Sequence, residues 1–336
     1  LMTRIASLVL AVAILTATTV SASAQTIKLG TLAPKGSPWY RIMVNMTDAW
    51  QNASEGDLTV RIYPGGVIGD ERDMVRKMGI GQLHGAVLTI DGLAMIVPDI
   101  QVFGMPMLLR SDAEVDFVLE RIGPELEKRF EDKGYKVLNW GDVGWVRLFA
   151  TEQVQHPSDL REQLQRPQVG ADVFIDAWRE LGYQPVPLPV TEMTTALQSG
   201  MVESFFTTPV AALSFQWFGQ APHMMDLKVA KLIGATIVKL DTWERIPEDA
   251  RPAIVKAARA AGRESSERVR EFEAEAIAAM ADYGLSVHEV SAESRDAWEA
   301  IAKKSYPAYI RGSVPEDLVA QVEKLRDEYR SQSGEH

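Results

Sequence analysis

The chain has 336 residues, with 35 lysine and arginine residues against 46 aspartate and glutamate residues. Its formal net charge of −11 argues against a nucleic-acid-binding protein, which needs a basic surface, and means that an anionic ligand requires a local cluster of arginines or helix N-termini. The absence of cysteine from the sequence excludes disulfides, thiolate catalysis and cysteine-based zinc sites.

The N-terminus has the features of a cleavable export signal. Arg4 supplies a positive charge, residues 5–14 form an apolar run too short to span a bilayer, and residues 22–24 are a small-residue cleavage site. A buried structural helix is the alternative. These features predict a signal peptide over residues 1–24, and because no later segment is long and apolar enough to cross a membrane, we expect no membrane span in the exported protein. Cleavage near Ala24 would release a periplasmic protein that is not embedded in the membrane.

The next part of the chain alternates predicted strands and helices. Ser37 followed by Pro38 is typical of a helix start, and Pro64-Gly65-Gly66 ends a strand. The predicted elements are a strand over 27–32, a helix from Ser37, a strand over 58–63, a helix over 70–78 and a strand over 81–87. Strand–helix–strand order with short connections indicates a parallel, doubly wound α/β sheet.

A second α/β unit is predicted further along, because roughly 310 mature residues exceed what one core usually organises. Ser111 and Glu114 form a capping box that opens a helix, and a separate helix is predicted over 123–130. Extended structure follows over 135–150, then a strand, a helix over 171–181 and a strand at Pro185.

The apolar period over 247–283 has prolines only at its start, at 247 and 252, and predicts one helix of about 55 Å. Two helices that meet near Gly262 are the alternative. A single helix of that length would lie across both α/β units.

Residues 185–209 read as a strand, a helix and a second strand. Thr191 is a candidate N-cap, Gly200 supplies a left-handed stop, and the strand over 202–206 ends in Thr207 and Thr208. Ligands of open α/β sheets bind at the carboxyl ends of strands, so this end is a candidate binding position.

This pattern resembles the solute receptors of tripartite ATP-independent periplasmic (TRAP) transporters of the dicarboxylate-receptor type. Their helix, glycine turn and strand ending in Asn-Pro match here, with Glu203 as the acidic residue, Ser204 in place of a glycine and Thr208 in place of the asparagine. The turn that contains Tyr63 and Glu71 matches a second motif, and the similarity runs over about 26–309.

The resemblance implies an α/β, two-lobed periplasmic-binding-protein-like fold, with open doubly wound sheets and a long helix that spans both lobes. We expect lobe I over 26–147 plus about 232–262, and lobe II over 148–231 plus about 263–330.

Two arginines are candidate anion ligands, because a planar guanidinium can hold a carboxylate with two bonds. Arg147 shares a strand face with Trp145, and the resemblance places an arginine on this strand between the lobes. Arg166 is in register with the arginine that grips the ligand carboxylate in dicarboxylate receptors, but Pro167 follows it and the apolar alternation is lost. A solvated position on an edge strand is the alternative for both.

The other candidate ligand-binding residues are one polar residue, one acid and three aromatic residues: Thr208, Glu71, Phe205, Trp217 and Trp39. Core packing is the alternative for the aromatic side chains. The aromatic run over 215–218 favours a monocarboxylate with an apolar or aromatic body, held by Arg147 and packed against Trp145 and Trp217, over a minimal dicarboxylate.

The predicted function is that of a periplasmic receptor that captures a small organic acid between its lobes and delivers it to the permease subunits of a TRAP transporter. No nucleophile, base and orienting residue assemble in the sequence, and the histidines lack metal-site spacing. We therefore expect no catalysis, no cofactor and no metal. A periplasmic hydrolase or lyase that uses the same cleft, or a receptor for an ABC permease, is the alternative.

Overall fold

The computed structural model describes residues 25–162, 167–169, 172–312 and 314–334. The predicted export signal and Arg166 lie outside these residues. Strands within them are β1 (Gln25–Thr31), β2 (Leu58–Tyr63), β3 (Gly85–Thr89), β4 (Tyr135–Ala150), β5 (Pro167–Val169), β6 (Val186–Pro187), β7 (Ser204–Thr207), β8 (His223–Lys239) and β9 (Ser286–Glu289).

The α-helices are of very different lengths. They are α1 (Pro38–Ala53), α2 (Glu71–Gly79), α3 (Ile90–Ala94), α4 (Asp112–Asp132), α5 (Pro157–Glu162), α6 (Asp172–Glu180), α7 (Met193–Gln198), α8 (Pro209–Ser214), α9 (Leu240–Glu244), α10 (Arg251–Asp282), α11 (Ala292–Gly312) and α12 (Glu316–Ser333). Short 3₁₀ segments cover Pro98–Gly104, Val190–Glu192 and Trp217–Gly219. No helix of the described residues has the length and apolar composition needed to cross a membrane.

All nine described strands belong to one sheet, in the order β2-β1-β3-β8-β4-β7-β5-β6, with β9 paired to β8. The strands at each end run parallel, as β1 does with β2 and β3, and β5 with β6 and β7. In the middle, β4 and β8 are 16 and 17 residues long and pair antiparallel along their length. The α/β fold class is confirmed, and the two predicted open sheets are the two ends of a single sheet.

Separate hydrophobic clusters cover the two ends of this sheet. At the β1–β3 end, Trp50 packs with Ile27 and Ile254, and a larger cluster lies under α4. At the β5–β7 end, Leu148 packs with Trp178, and a fourth cluster surrounds the strand and helix around β7. Each end therefore buries apolar surface of its own, which is the main stabilising term for such a unit.

The long helix α10 is continuous over 32 residues, about 48 Å at 1.5 Å per residue. It contacts β4, α1 and α8, which belong to both ends of the sheet. Gly262 does not break it. A Cβ atom at Gly262 would lie 2.1 Å from the carbonyl oxygen of Trp140, so glycine allows the helix to approach β4 closely. The prediction of one helix rather than two is confirmed.

Two local predictions are wrong. The predicted separate helix over 123–130 is part of α4, which continues through Pro124 because Val115, Ile122 and Phe130 are buried along one side. Tertiary packing offsets the hydrogen bond that an interior proline removes.

Thr191 does not cap α7. That helix has Glu192 as its N-cap residue with no side-chain cap, and Thr191 lies in the preceding 3₁₀ segment. The Thr191 methyl group instead packs against Gly66, where an added Cβ would approach it to 2.8 Å. This contact joins the turn after β2 to the opposite end of the sheet.

Candidate functional site

A cavity of about 610 Å³ lies where the two ends of the sheet face each other, and we call it the cleft cavity. Its walls come from the turns after β1 and β3, from the middle of β4 and β8, and from the segment between β6 and α8. Its apolar lining includes Trp39, Met43, Met46, Met95, Phe206, Phe215 and Trp217, and its polar lining includes Thr31, Thr89, Gln101, Asn139, Thr207 and Ser265.

Three predicted site residues line the cleft cavity: Trp39, Glu71 and Trp217. Trp39 lies in the first turn of α1, which Ser37 caps by accepting a hydrogen bond from the Tyr40 N–H at 3.2 Å. Its indole Nε1 is buried and has no hydrogen-bond partner among the described residues. Because a buried N–H without a partner loses its hydration, Trp39 offers an unused donor in the cavity wall.

Trp217 belongs to an aromatic wall of the cavity. Its ring stacks on Phe215 with centroids 4.6 Å apart and meets the edge of Phe205 at 5.7 Å. Its indole N–H donates to Thr194 Oγ1 at 3.1 Å. The polar end of Trp217 is thus satisfied and its orientation is held, and because the residue is 4 % exposed only a small part of its ring surface faces the cavity.

Glu71 is buried at the edge of the cavity and connects α2 to the turn after β3. Its carboxylate accepts hydrogen bonds from the Thr89 N–H at 2.7 Å, the Thr89 hydroxyl at 2.8 Å and the Gly92 N–H at 2.7 Å. Burial raises the pKa of Glu71 to about 7, although these donors favour the ionised form. The residue therefore holds one wall of the cavity in place.

Arg147 and Trp145 are not among the residues that line the cleft cavity. The Arg147 side chain is 5 % exposed, with one nitrogen 2.8 Å from Glu273 on α10 and another 3.2 Å from Asp226 on β8. Trp145 is buried and its indole N–H donates to Asp112 at 3.0 Å. The strand face predicted to hold an anion thus points to the carboxylates of the protein itself.

Phe205 and Thr208 also lie outside the cavity lining. Phe205 is fully buried and stacks on Phe149 with centroids 5.6 Å apart. Thr208 is fully buried and caps α8 by accepting a hydrogen bond from the Ala211 N–H at 3.3 Å. The neighbouring residues Phe206 and Thr207 reach the cavity instead.

Lys231 is a lining residue that sequence reasoning missed. It is 1 % exposed, its Nζ lies 2.6 Å from Asp142, and it also pairs with Asp112. Burial raises the pKa of Asp142 despite the nearby Lys231 and Arg270, whereas the same two cations outweigh burial at Asp112 and lower its pKa. A charged residue inside the apolar run of β8 was the signal available in the sequence.

Arg72 and Asp91 were missed as well, although both line the cleft cavity. Arg72 follows Glu71 in the turn motif, and Asp91 lies in the first turn of α3, just after β3. Burial raises the pKa of Asp91 to about 6, against the opposing influence of Arg72. The strand-end position of Asp91 could have identified it.

Residues 29–312 match the family model DctP, which describes the bacterial extracellular solute-binding proteins of family 7. A solute-binding protein of Roseobacter denitrificans is 26% identical over 322 residues, which cover 94% of this chain and 95% of that protein.

Solved structures share the fold. A TRAP periplasmic solute-binding protein of Ralstonia eutropha with bound (S)-2-acetolactate has a TM-score of 0.84 at 19% identity, covering 90% of this chain and 99% of that chain. Another, from Sulfurospirillum deleyianum with bound succinate, has a TM-score of 0.83 at 20% identity, with the same two coverages. One bound ligand is a monocarboxylate and the other a dicarboxylate, so the shared fold accommodates both.

Proposed function

Since this chain belongs to the bacterial extracellular solute-binding proteins of family 7, we propose that it captures a small organic acid in the cleft cavity and presents that acid to the membrane permease of a TRAP transporter. The chain is a solute-binding receptor and not an enzyme, as its family and relatives are. Such receptors usually deliver their ligand to a permease, and the membrane permease of a TRAP transporter is the partner that we propose for this chain.

The family acts outside the cytoplasm. We propose export by a signal that is cleaved near Ala24, before Gln25. Mass spectrometry of the N-terminal peptide, from protein isolated from the periplasm, tests this. Cleavage at the predicted position leaves Gln25 as the first residue.

The composition of the cleft cavity is the observation that carries the ligand proposal. Its volume of about 610 Å³ is within the usual range for a small-molecule site, and its walls are largely apolar with a few polar groups, as such sites are. Phe215 and Trp217 support an apolar or aromatic ligand body. Arg72 supports an acidic group, because it brings positive charge to the wall, whereas Lys231 is already paired with Asp112 and Asp142. Arg166 remains a predicted third cation.

The lobe boundaries predicted from the sequence are also part of this proposal. The separate clusters at the two ends of the sheet support two lobes, and the crossing strands β4 and β8 with α10 support a hinge between them. A ligand that contacts both walls would favour the closed arrangement.

A binding screen tests the proposal. Purified protein, unfolded and refolded to remove co-purified ligand, is titrated calorimetrically with C4 dicarboxylates and with aromatic and branched monocarboxylates. We expect saturable one-to-one binding of at least one acid, recovered unaltered, and weaker binding of aromatic acids to Trp217→Leu with little change for C4 acids. Saturable binding of C4 dicarboxylates alone would overturn the proposal that the ligand has an apolar or aromatic body. Binding of no carboxylate would overturn the receptor proposal.

A further inference from the structure

The carboxylates that line the cleft cavity differ in how they are satisfied. Asp70 caps α2 by accepting from the Asp73 N–H at 2.8 Å. Glu71 accepts three hydrogen bonds. Asp142 accepts from the Gly144 N–H at 2.8 Å and pairs with Lys231 at 2.6 Å. Three of the acids in the wall are therefore used by the protein itself.

Asp91 is the exception. Within the part of the chain that the structure describes, no hydrogen bond or ion pair ends on its carboxylate, although Arg72 lies near enough to influence its ionisation. Its backbone N–H is engaged, as a donor to Thr89 Oγ1 at 3.3 Å. An ionised carboxylate accepts hydrogen bonds and donates none, so Asp91 presents acceptor oxygens to the cavity.

The position of Asp91 is held from both sides. Glu71 accepts hydrogen bonds from Thr89, two residues before Asp91, and from Gly92, the residue after it. A Cβ atom at Gly92 would lie 2.7 Å from Glu71 Oε2, so the turn has no room to move toward α2. A preorganised acceptor loses little conformational freedom when a ligand binds to it.

We propose that Asp91 selects, among small organic acids, those that carry a hydrogen-bond donor, either a hydroxyl or an ammonium group, beside the carboxylate. This rests on the proposed receptor function and specifies its ligand class. When the cleft closes, water leaves the Asp91 carboxylate, and a buried charge without a partner is strongly unfavourable. A donor on the ligand replaces the lost water, whereas an acid without one leaves the carboxylate unpaired. The unused Trp39 N–H supplies a matching donor in the same cavity for a ligand oxygen.

Two matched series of acids test this for a short ligand body and for an aromatic one. The first is succinate, malate and aspartate, and the second is 3-phenylpropanoate, 3-phenyllactate and phenylalanine. Within each series the members carry no donor, a hydroxyl or an ammonium group. Calorimetric affinities are measured for the wild-type protein, for Asp91→Ala and Asp91→Asn, and for Asp73→Asn as a control. Asp73 is a partly exposed carboxylate on α2 that pairs with Arg76.

In the wild type we expect a donor-bearing acid to bind at least about tenfold more tightly than the donor-free acid of its series, the scale of one hydrogen bond to a charged group. Asp91→Ala should remove that preference and Asp73→Asn should retain it. Asp91→Asn separates the two donors, because an amide oxygen still accepts from a hydroxyl but no longer attracts an ammonium group. Thermal unfolding of each variant shows whether it is folded.

Equal wild-type affinities within the series that binds, or a preference that persists in Asp91→Ala, would overturn the inference and leave the receptor function intact. Binding of no carboxylate in either series or in the wider screen would instead refute the receptor function, and the inference with it.

Discussion

Glu71 combines two properties that oppose each other at the scale of a single residue. It is 6 % exposed, which disfavours its charge, yet it accepts two backbone N–H groups and a hydroxyl. Its position in a turn motif was visible in the sequence. Its partners Thr89 and Gly92 lie 18 and 21 residues further along the chain, and only folding brings them to it.

The raised pKa of Glu71 has a direct consequence for stability. Its folded pKa of about 7 exceeds the ordinary value of 4.5, so the folded state binds the proton more tightly than the unfolded chain does. That stabilisation is fully present below pH 4.5 and is lost as the pH rises through about 7. We expect the free energy of unfolding of the wild type, relative to that of Glu71→Gln, to fall by about 3 kcal/mol over this range.

Chemical denaturation of both proteins at a series of pH values measures this difference. The comparison with Glu71→Gln isolates the titration of Glu71 together with its coupling to Asp91, whose raised pKa has the same sign. A difference that is independent of pH, or that grows as the pH rises, would contradict the prediction.

At the scale of the elements, ion pairs fasten α10 to the sheet. Arg147 on β4 joins Glu273 on α10 and Asp226 on β8, and Arg270 on α10 reaches Asp142 on β4 at 3.1 Å. These pairs lie where the helix crosses the longest strands. The arginine that the sequence suggested as a ligand contact thus connects three elements.

Removal of Arg147 should destabilise the fold, because it leaves the partly buried Glu273 carboxylate, 13 % exposed, without its cation. We expect Arg147→Ala to lower the free energy of unfolding by about 3–5 kcal/mol, the usual cost of breaking a buried pair. Arg268→Ala is the control, since its pair with Glu271 on the same helix is exposed and should contribute less than about 1 kcal/mol. Equal, small effects in urea denaturation would disprove this role.

Gly262 gives a second test of how α10 meets β4. In an exposed helix interior, Gly→Ala stabilises by roughly 1 kcal/mol. Here the new Cβ would lie 2.1 Å from the Trp140 carbonyl oxygen and 3.1 Å from the Asn139 Cβ. Gly262→Ala should therefore destabilise, by about 1–3 kcal/mol.

The matched control is Gly79→Ala at the end of α2, where no atom other than those of its chain neighbours and its own helix backbone lies within 4 Å of the added Cβ. It should be neutral or stabilising in the same thermal and denaturant unfolding experiments. Stabilisation by Gly262→Ala would mean that the helix lies further from the strand than the structure has it.

At the scale of the whole molecule, the cleft cavity depends on elements that are far apart in the chain. Its walls combine residues near Thr31 and Asp91 with residues near Phe215 and Lys231. The contact of Thr191 with Gly66 shows that the two ends of the sheet already touch. A ligand that contacts both walls would add to this contact and favour closure.

Small-angle scattering should therefore show a smaller radius of gyration when the tightest-binding acid of the screen is added at saturation. An acid from the same series that does not bind is the control at equal concentration. An unchanged radius at saturating ligand would argue strongly against hinge closure.

Local patterns in the sequence were enough to determine most elements and the family resemblance. Period-two and helical apolar patterns, the Ser37 and Ser111 caps and the left-handed Gly200 act over a few residues, so they can be read without the fold. The α/β class and the single long helix follow from them.

Only the tertiary structure decided which side chains line the cleft cavity. Arg147 and Phe205 were chosen for their chemistry, but their orientation depends on partners such as Glu273 and Phe149, which pack against them from other elements. Asp91 lines the cavity because it follows β3, which pairs with β8, and Lys231 does so from the middle of β8, where that strand pairs with β4. A binding site is a convergence of distant residues, and its geometry arises from long-range packing that a local pattern does not encode.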